Sequence, residues 1–170
     1  EMVDQQLDFG AVRLSEDDLR IVYATLDYAA VDAASLRGFG GFTPREPRWQ
    51  TAWSLELRRG IDGLGASKDC SNIADCLAPN IPISNFFADP SAGVARLEGI
   101  FEYRPVPTLT FAVTPIAQVS TAPLLAYEQV SLGNFTIGRG YDPGVVLGDH
   151  AIGSGFELRV GRIAPQTPDS

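Results

Sequence analysis

The chain has 170 residues, of which 13 are basic and 21 acidic, and the resulting net charge of −8 excludes a nucleic-acid-binding protein, which needs a basic surface. Hydrophobic residues make up 45% of the chain and the mean hydropathy is +0.02. This composition excludes a disordered chain. The sequence has no run of about 20 apolar residues, which excludes a helical membrane protein. The composition and the mean hydropathy suit a β-barrel, in which lumen-facing and lipid-facing residues alternate.

Strand-like segments begin the chain. Residues 5–14 alternate weakly, residues 19–28 are strand-like with mixed faces, and the acidic run at 15–18 predicts a short turn between them. Residues 49–62 alternate clearly between an apolar and a polar face. This segment is longer than the usual five or six residues of a soluble strand and matches the roughly nine to eleven of a tilted membrane strand.

Three more strands are predicted in the second half, at 94–104, 109–120 and 156–160. A short turn at 105–108 joins the first two, and Pro115 interrupts the second, where a barrel would need a bulge or a locally unpaired site. The polar faces of these strands and of 49–62 predict a lumen lining, although a solvated sheet face would have the same pattern. The lumen-facing candidates are Glu56, Arg58, Arg96, Glu98, Gln118, Glu157 and Arg159.

The pattern predicts an all-β fold, an antiparallel up-and-down meander of about six strands. Long connections at 65–93 and 127–155 alternate with short turns, as in outer-membrane barrels and in some soluble sandwiches. Six strands cannot close a membrane barrel, and open sheet edges are prohibitively costly in lipid. We therefore expect residues 1–163 to be an incomplete transmembrane β-barrel, completed by deleted sequence or by neighbouring subunits. Residues 164–170 are expected to be a truncated tail, and a leader peptide to belong to the missing sequence.

Few residues carry chemistry. Cys70 and Cys76 favour a short-loop disulfide in an oxidising compartment over two free thiols, and no neighbouring ligands support a zinc site. His150 is the single histidine and stands beside an aspartate, but no nucleophile accompanies it. Neither a P-loop nor a dinucleotide-binding motif occurs. The sequence therefore predicts no enzyme, no cofactor and no metal site.

The connection at 127–155 is long, glycine-rich and aromatic, which predicts an ordered functional loop. It carries a series of short motifs: Tyr-Glu-Gln at 127–129, Ser-Leu-Gly at 131–133, Arg-Gly-Tyr-Asp-Pro-Gly at 139–144 and Gly-Asp at 148–149, followed by Glu-Leu-Arg at 157–159. With Gly-Ile-Asp-Gly-Leu-Gly-Ala-Ser at 60–67, this order and spacing resembles the two-partner secretion transporters of the outer membrane, of the haemolysin secretion and activation type. These belong to the superfamily of outer-membrane assembly factors, and the resemblance covers residues 49–162.

The resemblance implies a sixteen-strand barrel preceded by periplasmic modules, with the motif loop folded into the lumen and its arginine paired to an acidic residue of a later strand. Gly138 stands where the family often has valine. We hypothesise that Arg139 fixes the loop in a secretion-competent position, and that Glu157 contacts it. The motif-loop residues so marked are Gly138, Arg139, Gly140, Tyr141, Asp142, Gly148 and Asp149.

The predicted function is translocation of an unfolded partner exoprotein across the bacterial outer membrane, with outer-membrane lipid around the barrel. The first alternative is a factor of the same superfamily that inserts other barrels into the membrane. An alternative of another class is a soluble all-β binding domain. A barrel attached to a lipid-hydrolysing domain is a further alternative, and would need an upstream Gly-x-Ser-x-Gly nucleophile.

Overall fold

The structure, a computed structural model, describes residues 2–9, 12–67, 83–133, 138, 140, 142, 144 and 146–162. These residues form eight strands: β1 (Met2–Phe9), β2 (Val12–Val31), β3 (Trp49–Gly60), β4 (Gly93–Val106), β5 (Leu109–Ser120), β6 (Val130–Leu132), β7 (Val146–Gly148) and β8 (Ala151–Val160). Single 3-10 turns occur at Ser35–Arg37, Phe39–Gly41 and Ala126–Glu128. Among the described residues there is no helix with the length and apolar character that a bilayer crossing requires.

Six strands form one antiparallel sheet in the order β1-β2-β3-β4-β5-β8, and β6 pairs with β7 in a separate two-stranded ribbon. Apart from this ribbon, each strand neighbours the next one in the chain. The prediction of an all-β antiparallel meander, an incomplete barrel of about six strands, is therefore confirmed.

The turn predicted at 15–18 is wrong, because these residues lie inside β2. In the β1–β2 pairing Ser15 lies opposite Leu7 and Glu16 opposite Gln6, so the two strands meet near Phe9, within the segment predicted as one strand. The physical reason lies in distant parts of the chain. The buried Asp17 carboxylate accepts a hydrogen bond from the Ser84 backbone N–H at 2.8 Å, which satisfies an acidic group that would otherwise favour a turn.

The last strand begins earlier than the sequence predicts. β8 starts at Ala151, so the final residues of the predicted 127–155 loop belong to the sheet. Gly155 has no side chain, so it interrupts the alternation of apolar and polar residues in the sequence of this strand. A side chain would not fit there, because a Cβ atom would lie 2.5 Å from Thr114 Oγ1 on the neighbouring strand. In β5, the strand continues through Pro115, which was predicted to interrupt it.

The chain divides into two compact units, each of which is described by itself. Unit 1 comprises Glu1–Thr25, Glu56–Arg96 and Ala117–Ala151, and unit 2 comprises Leu26–Leu55, Leu97–Ile116 and Ile152–Ser170.

Unit 1 contains the ends of the strands from which the long connections leave, and these connections pack on one another. A buried apolar cluster joins Leu19 and Ile21 of β2 to Ile83, Ala88 and Leu125 of the connections. Backbone hydrogen bonds reinforce it, for example from the N–H of residue 89 to the carbonyl of residue 123 at 2.9 Å. The bases of the long connections are thus fixed to the sheet and to each other.

Unit 2 has an exposed apolar face and a buried polar one. Phe101 of β4, Phe111 of β5 and Phe156 of β8 are exposed, whereas Glu102 and Arg104 on the opposite face of β4 are 4% and 1% exposed. Further exposed apolar side chains of this unit are Leu26, Tyr28, Leu97, Tyr103, Leu158 and Val160. This distribution is the reverse of a sheet in water, where the apolar face is the covered one.

Candidate functional site

The polar face of unit 1 carries the two ends of the motif loop. Arg58, Arg96 and Gln118 lie on β3, β4 and β5, and the sequence predicts all three as lumen-facing. The structure brings them to Glu128, in the 3-10 turn where the loop begins, and to Asp149, where it ends. We call these five residues the loop anchor.

Gln118 is the centre of the loop anchor and is 1% exposed. Its Oε1 accepts a hydrogen bond from Arg96 Nε at 2.8 Å, which orients the amide. Its Nε2 then donates to the backbone carbonyl of Glu128 at 3.0 Å and to that of Asp149 at 3.3 Å. One side chain of the sheet therefore holds both ends of the loop at once.

An ion pair adds to this contact at the start of the loop. Arg58 Nη2 lies 3.5 Å from Glu128 Oε1 and donates to the Glu128 carbonyl at the same distance, while Arg58 Nε lies 3.8 Å from Glu56 Oε1. The Glu128 carboxylate is almost fully buried. Its burial raises its pKa above the ordinary value of 4.5, although Arg58 and Arg96 act in the opposite direction.

Asp149 closes the other end of the loop. Its Oδ1 accepts hydrogen bonds from the Leu124 backbone N–H at 3.0 Å and from Gln129 Nε2 at 2.9 Å. Just beyond this contact, the β6–β7 ribbon pairs Val130 with Gly148, so the base of the loop is also closed by backbone pairing. The Gly-Asp motif at 148–149 therefore has a structural role in defining where the loop leaves the sheet.

The motif loop contains glycines in conformations that other residues rarely adopt. Gly138 has φ +85° and Gly140 has φ +100°, so the backbone on both sides of position 139 lies in the left-handed region. Asp142 is exposed. Arg139 and Tyr141 lie outside the described residues, as do Cys70 and Cys76, on which the disulfide prediction rests.

Four lumen-facing candidates are not part of the loop anchor. Glu56 lies in unit 1, whereas Glu98, Glu157 and Arg159 lie in unit 2. Glu98 is exposed. Glu157 Oε2 accepts from Arg159 Nη2 at 2.8 Å, and Arg159 Nη1 reaches Glu102 Oε1 at 2.7 Å. The hypothesis that Glu157 contacts Arg139 stays a prediction.

Sequence reasoning left three residues of this second network out of the candidate set: Gln50, Glu102 and Arg104. The buried Glu102 Oε2 accepts from Gln50 Nε2 at 2.5 Å and from Arg104 Nη2 at 3.0 Å. Arg104 Nη1 donates to the Pro47 carbonyl at 2.9 Å. The signal for the two β4 residues was available, since they share the polar face of that strand with Arg96 and Glu98.

Both clusters are networks of hydrogen bonds and ion pairs. They consist of carboxylates, guanidinium groups and amides that bind one another and the backbone, although the buried Arg58 Nε has no hydrogen-bond partner. Within the part of the chain that the structure describes, no group of three or more His, Cys, Asp or Glu side chains could hold a metal ion. Comparison of the chain with protein-family models, with curated proteins and with solved structures finds no match.

Proposed function

We propose that this chain is part of an outer-membrane β-barrel that translocates a partner exoprotein, as in two-partner secretion. The observation that carries the proposal is the loop anchor, in which the buried Gln118 on the polar face of the sheet holds both Glu128 and Asp149. A loop held at both ends on the polar face suits a plug or gate inside a lumen. The resemblance of the motif series supplies the class of cargo.

The exposed apolar face supports the membrane part of the proposal. Lipid is the environment in which exposed side chains such as Phe101, Phe111 and Phe156 are stable. Trp53, on the apolar face of β3, packs its ring against Gly99 of β4, where a Cβ atom would overlap the ring. The two strands therefore present a continuous apolar surface. The β1 and β8 edges of the sheet are to be completed by further strands.

The lipid contact can be tested at the middle of β4. Phe101 is 41% exposed, and a charge at such a lipid-facing position costs about 2–4 kcal/mol in a barrel near the bilayer midplane. Phe101→Lys in the full-length protein is expected to lower the free energy of unfolding from vesicles by this amount, and the control Phe101→Leu to change it little. If Phe101→Lys instead raises solubility without detergent and leaves stability unchanged, the soluble all-β alternative holds.

The transport part is tested by Arg139→Ala in the full-length transporter, with release of the partner exoprotein as the readout. We expect export to fall while the barrel remains inserted. Arg139→Lys keeps the charge but loses the planar fork that pairs with a carboxylate, and should restore export only in part. Undiminished export by both variants would exclude the proposed role of the loop. A general fall in the level of other outer-membrane proteins would instead identify the barrel-insertion alternative.

A further inference from the structure

The connection between β2 and β3, residues 32–48, combines exposed apolar and exposed basic side chains. Leu36 is 50% and Phe39 64% exposed, and Arg37 and Arg45 of the same connection are also exposed. The segment has three arginines and two acidic residues, a charge of +1, in a chain whose net charge is −8. We call residues 32–48 the basic loop, and all of it belongs to unit 2.

The shape of the basic loop is fixed from within. Ser35, which is fully buried, donates from its hydroxyl to Asp32 Oδ2 at 2.6 Å and accepts from the Arg48 backbone N–H at 2.9 Å. Thr43 and Glu46 exchange backbone hydrogen bonds at 3.2 and 3.1 Å. Since these contacts hold the loop in place, Leu36 and Phe39 are presented to the surroundings without a loss of internal hydrogen bonds.

The acidic members of the loop are already engaged. The Ser35 hydrogen bond and the Arg48 charge both lower the pKa of Asp32 and keep it ionised, and the buried Glu46 carboxylate lies 3.8 Å from Arg162 Nη1. The two acidic charges are thus set against Arg48 and Arg162, and the exposed positive charges that remain on the loop are Arg37 and Arg45. Exposed apolar side chains in the same segment as exposed arginines are the combination by which peripheral segments bind an anionic lipid surface.

The loop also lies where such a surface would be. The N–H of Asp32 donates to the Trp49 carbonyl at 3.0 Å, so the loop leaves the sheet directly at the ends of β2 and β3. In a strand that spans a bilayer, this point is at the level of the lipid headgroups.

We propose that the basic loop anchors this end of the barrel to an anionic phospholipid leaflet, with Leu36 and Phe39 inserted among the lipids and Arg37 and Arg45 on their phosphates. This inference rests on the proposed barrel. The partner that it names is the lipid headgroup, and not a soluble protein.

The experiment uses a single tryptophan reporter in the full-length protein in vesicles. Phe39→Trp is combined with Trp49→Phe, Trp53→Phe and the same replacement of any tryptophan elsewhere in the full-length protein. The vesicles contain phosphatidylcholine brominated in its acyl chains, with or without phosphatidylglycerol. Emission from position 39 should be quenched and shifted to the blue, more strongly with phosphatidylglycerol. Adding Arg37→Gln and Arg45→Gln should abolish the difference between the two lipid mixtures.

Two controls separate the inference from the proposed function. A protein that keeps only Trp53, on the apolar face of the strands, reports whether the barrel is in the bilayer. Phe87→Trp in the same tryptophan-free background reports a phenylalanine that is 84% exposed in a segment, 83–92, with no lysine or arginine, and its emission should not respond to phosphatidylglycerol.

The outcomes are distinct. Quenching at position 39 that depends on phosphatidylglycerol and on the arginines supports the anchor. Quenching of Trp53 with none at position 39, or with no dependence on anionic lipid, overturns the anchor and leaves the barrel in place. No quenching at either position overturns both.

Discussion

Replacement of Gln118 by leucine tests the loop anchor most directly. The change keeps the side-chain volume roughly constant but removes three hydrogen bonds, from Arg96 Nε and to the carbonyls of Glu128 and Asp149. Leaving a buried polar group without a partner costs about 1–3 kcal/mol. Arg96 and the two carbonyls can recover part of this by reorienting, so we expect the loop base to open more easily by about 2–4 kcal/mol.

Hydrogen exchange of the full-length protein in detergent measures this opening. The backbone N–H of Leu124, which donates to Asp149 Oδ1 at 3.0 Å, is protected only while the end of the loop is docked. Since about 1.4 kcal/mol corresponds to a factor of ten, its exchange should accelerate by about 30-fold to about 1000-fold in Gln118→Leu. Val119→Ala is the matched control, because Val119 is the adjacent residue of β5 and is 58% exposed. Equal exchange rates at Leu124 in the two variants would refute the role of Gln118.

Three further predictions concern carboxylates. Asp149→Ala frees the Leu124 N–H and should speed its exchange, whereas Asp149→Asn, which can keep an oxygen acceptor there, should do so less. Glu102→Leu leaves Arg104 buried without its carboxylate, and in denaturant titrations it should lower the free energy of unfolding by about 3–5 kcal/mol. A change within about 0.5 kcal/mol, as for surface substitutions, would contradict the buried network. Because burial raises the pKa of Glu128, its proton is held more tightly in the folded state, so the free energy of unfolding should fall as pH rises from 4.5 through the raised pKa. Glu128→Gln should remove that fall, and a pH profile identical to the parent's would count against it.

The strands could be predicted because alternation is a local signal. Residues 49–62 and 94–104 correspond to Trp49–Gly60 and Gly93–Val106 in the structure, with boundaries that differ by one or two residues. The acidic run at 15–18 could not be placed in the same way. Its strand conformation depends on Ser84, which is 67 residues away from Asp17 in the chain, and no local pattern reports that contact.

The loop anchor was predictable only in part. The alternation placed Arg58, Arg96 and Gln118 on one face, but it did not indicate what they would hold. Gln118 binds the backbone carbonyls of Glu128 and Asp149. Every residue has a backbone carbonyl, so the order of side chains in the sequence cannot indicate which carbonyls accept these hydrogen bonds. Glu128 was noticed as part of a motif, and its burial against the sheet depends on the path of the whole connection.

The reversed burial of unit 2 links the two proposals. Burial of Glu102 and Arg104 is costly unless each charge is paired and hydrogen-bonded, and both are, through Gln50, Arg159 and the Pro47 carbonyl. A polar face that satisfies its charges internally needs no bulk water to remain stable. The opposite, apolar face is exposed, and we propose lipid as its cover in preference to another protein layer. Its side chains are exposed along strands of ten residues and more, which is enough to cross a bilayer, and the loop at the strand ends adds arginines where headgroups would lie. Lipid accounts for both features together, whereas a protein layer would account for the first alone.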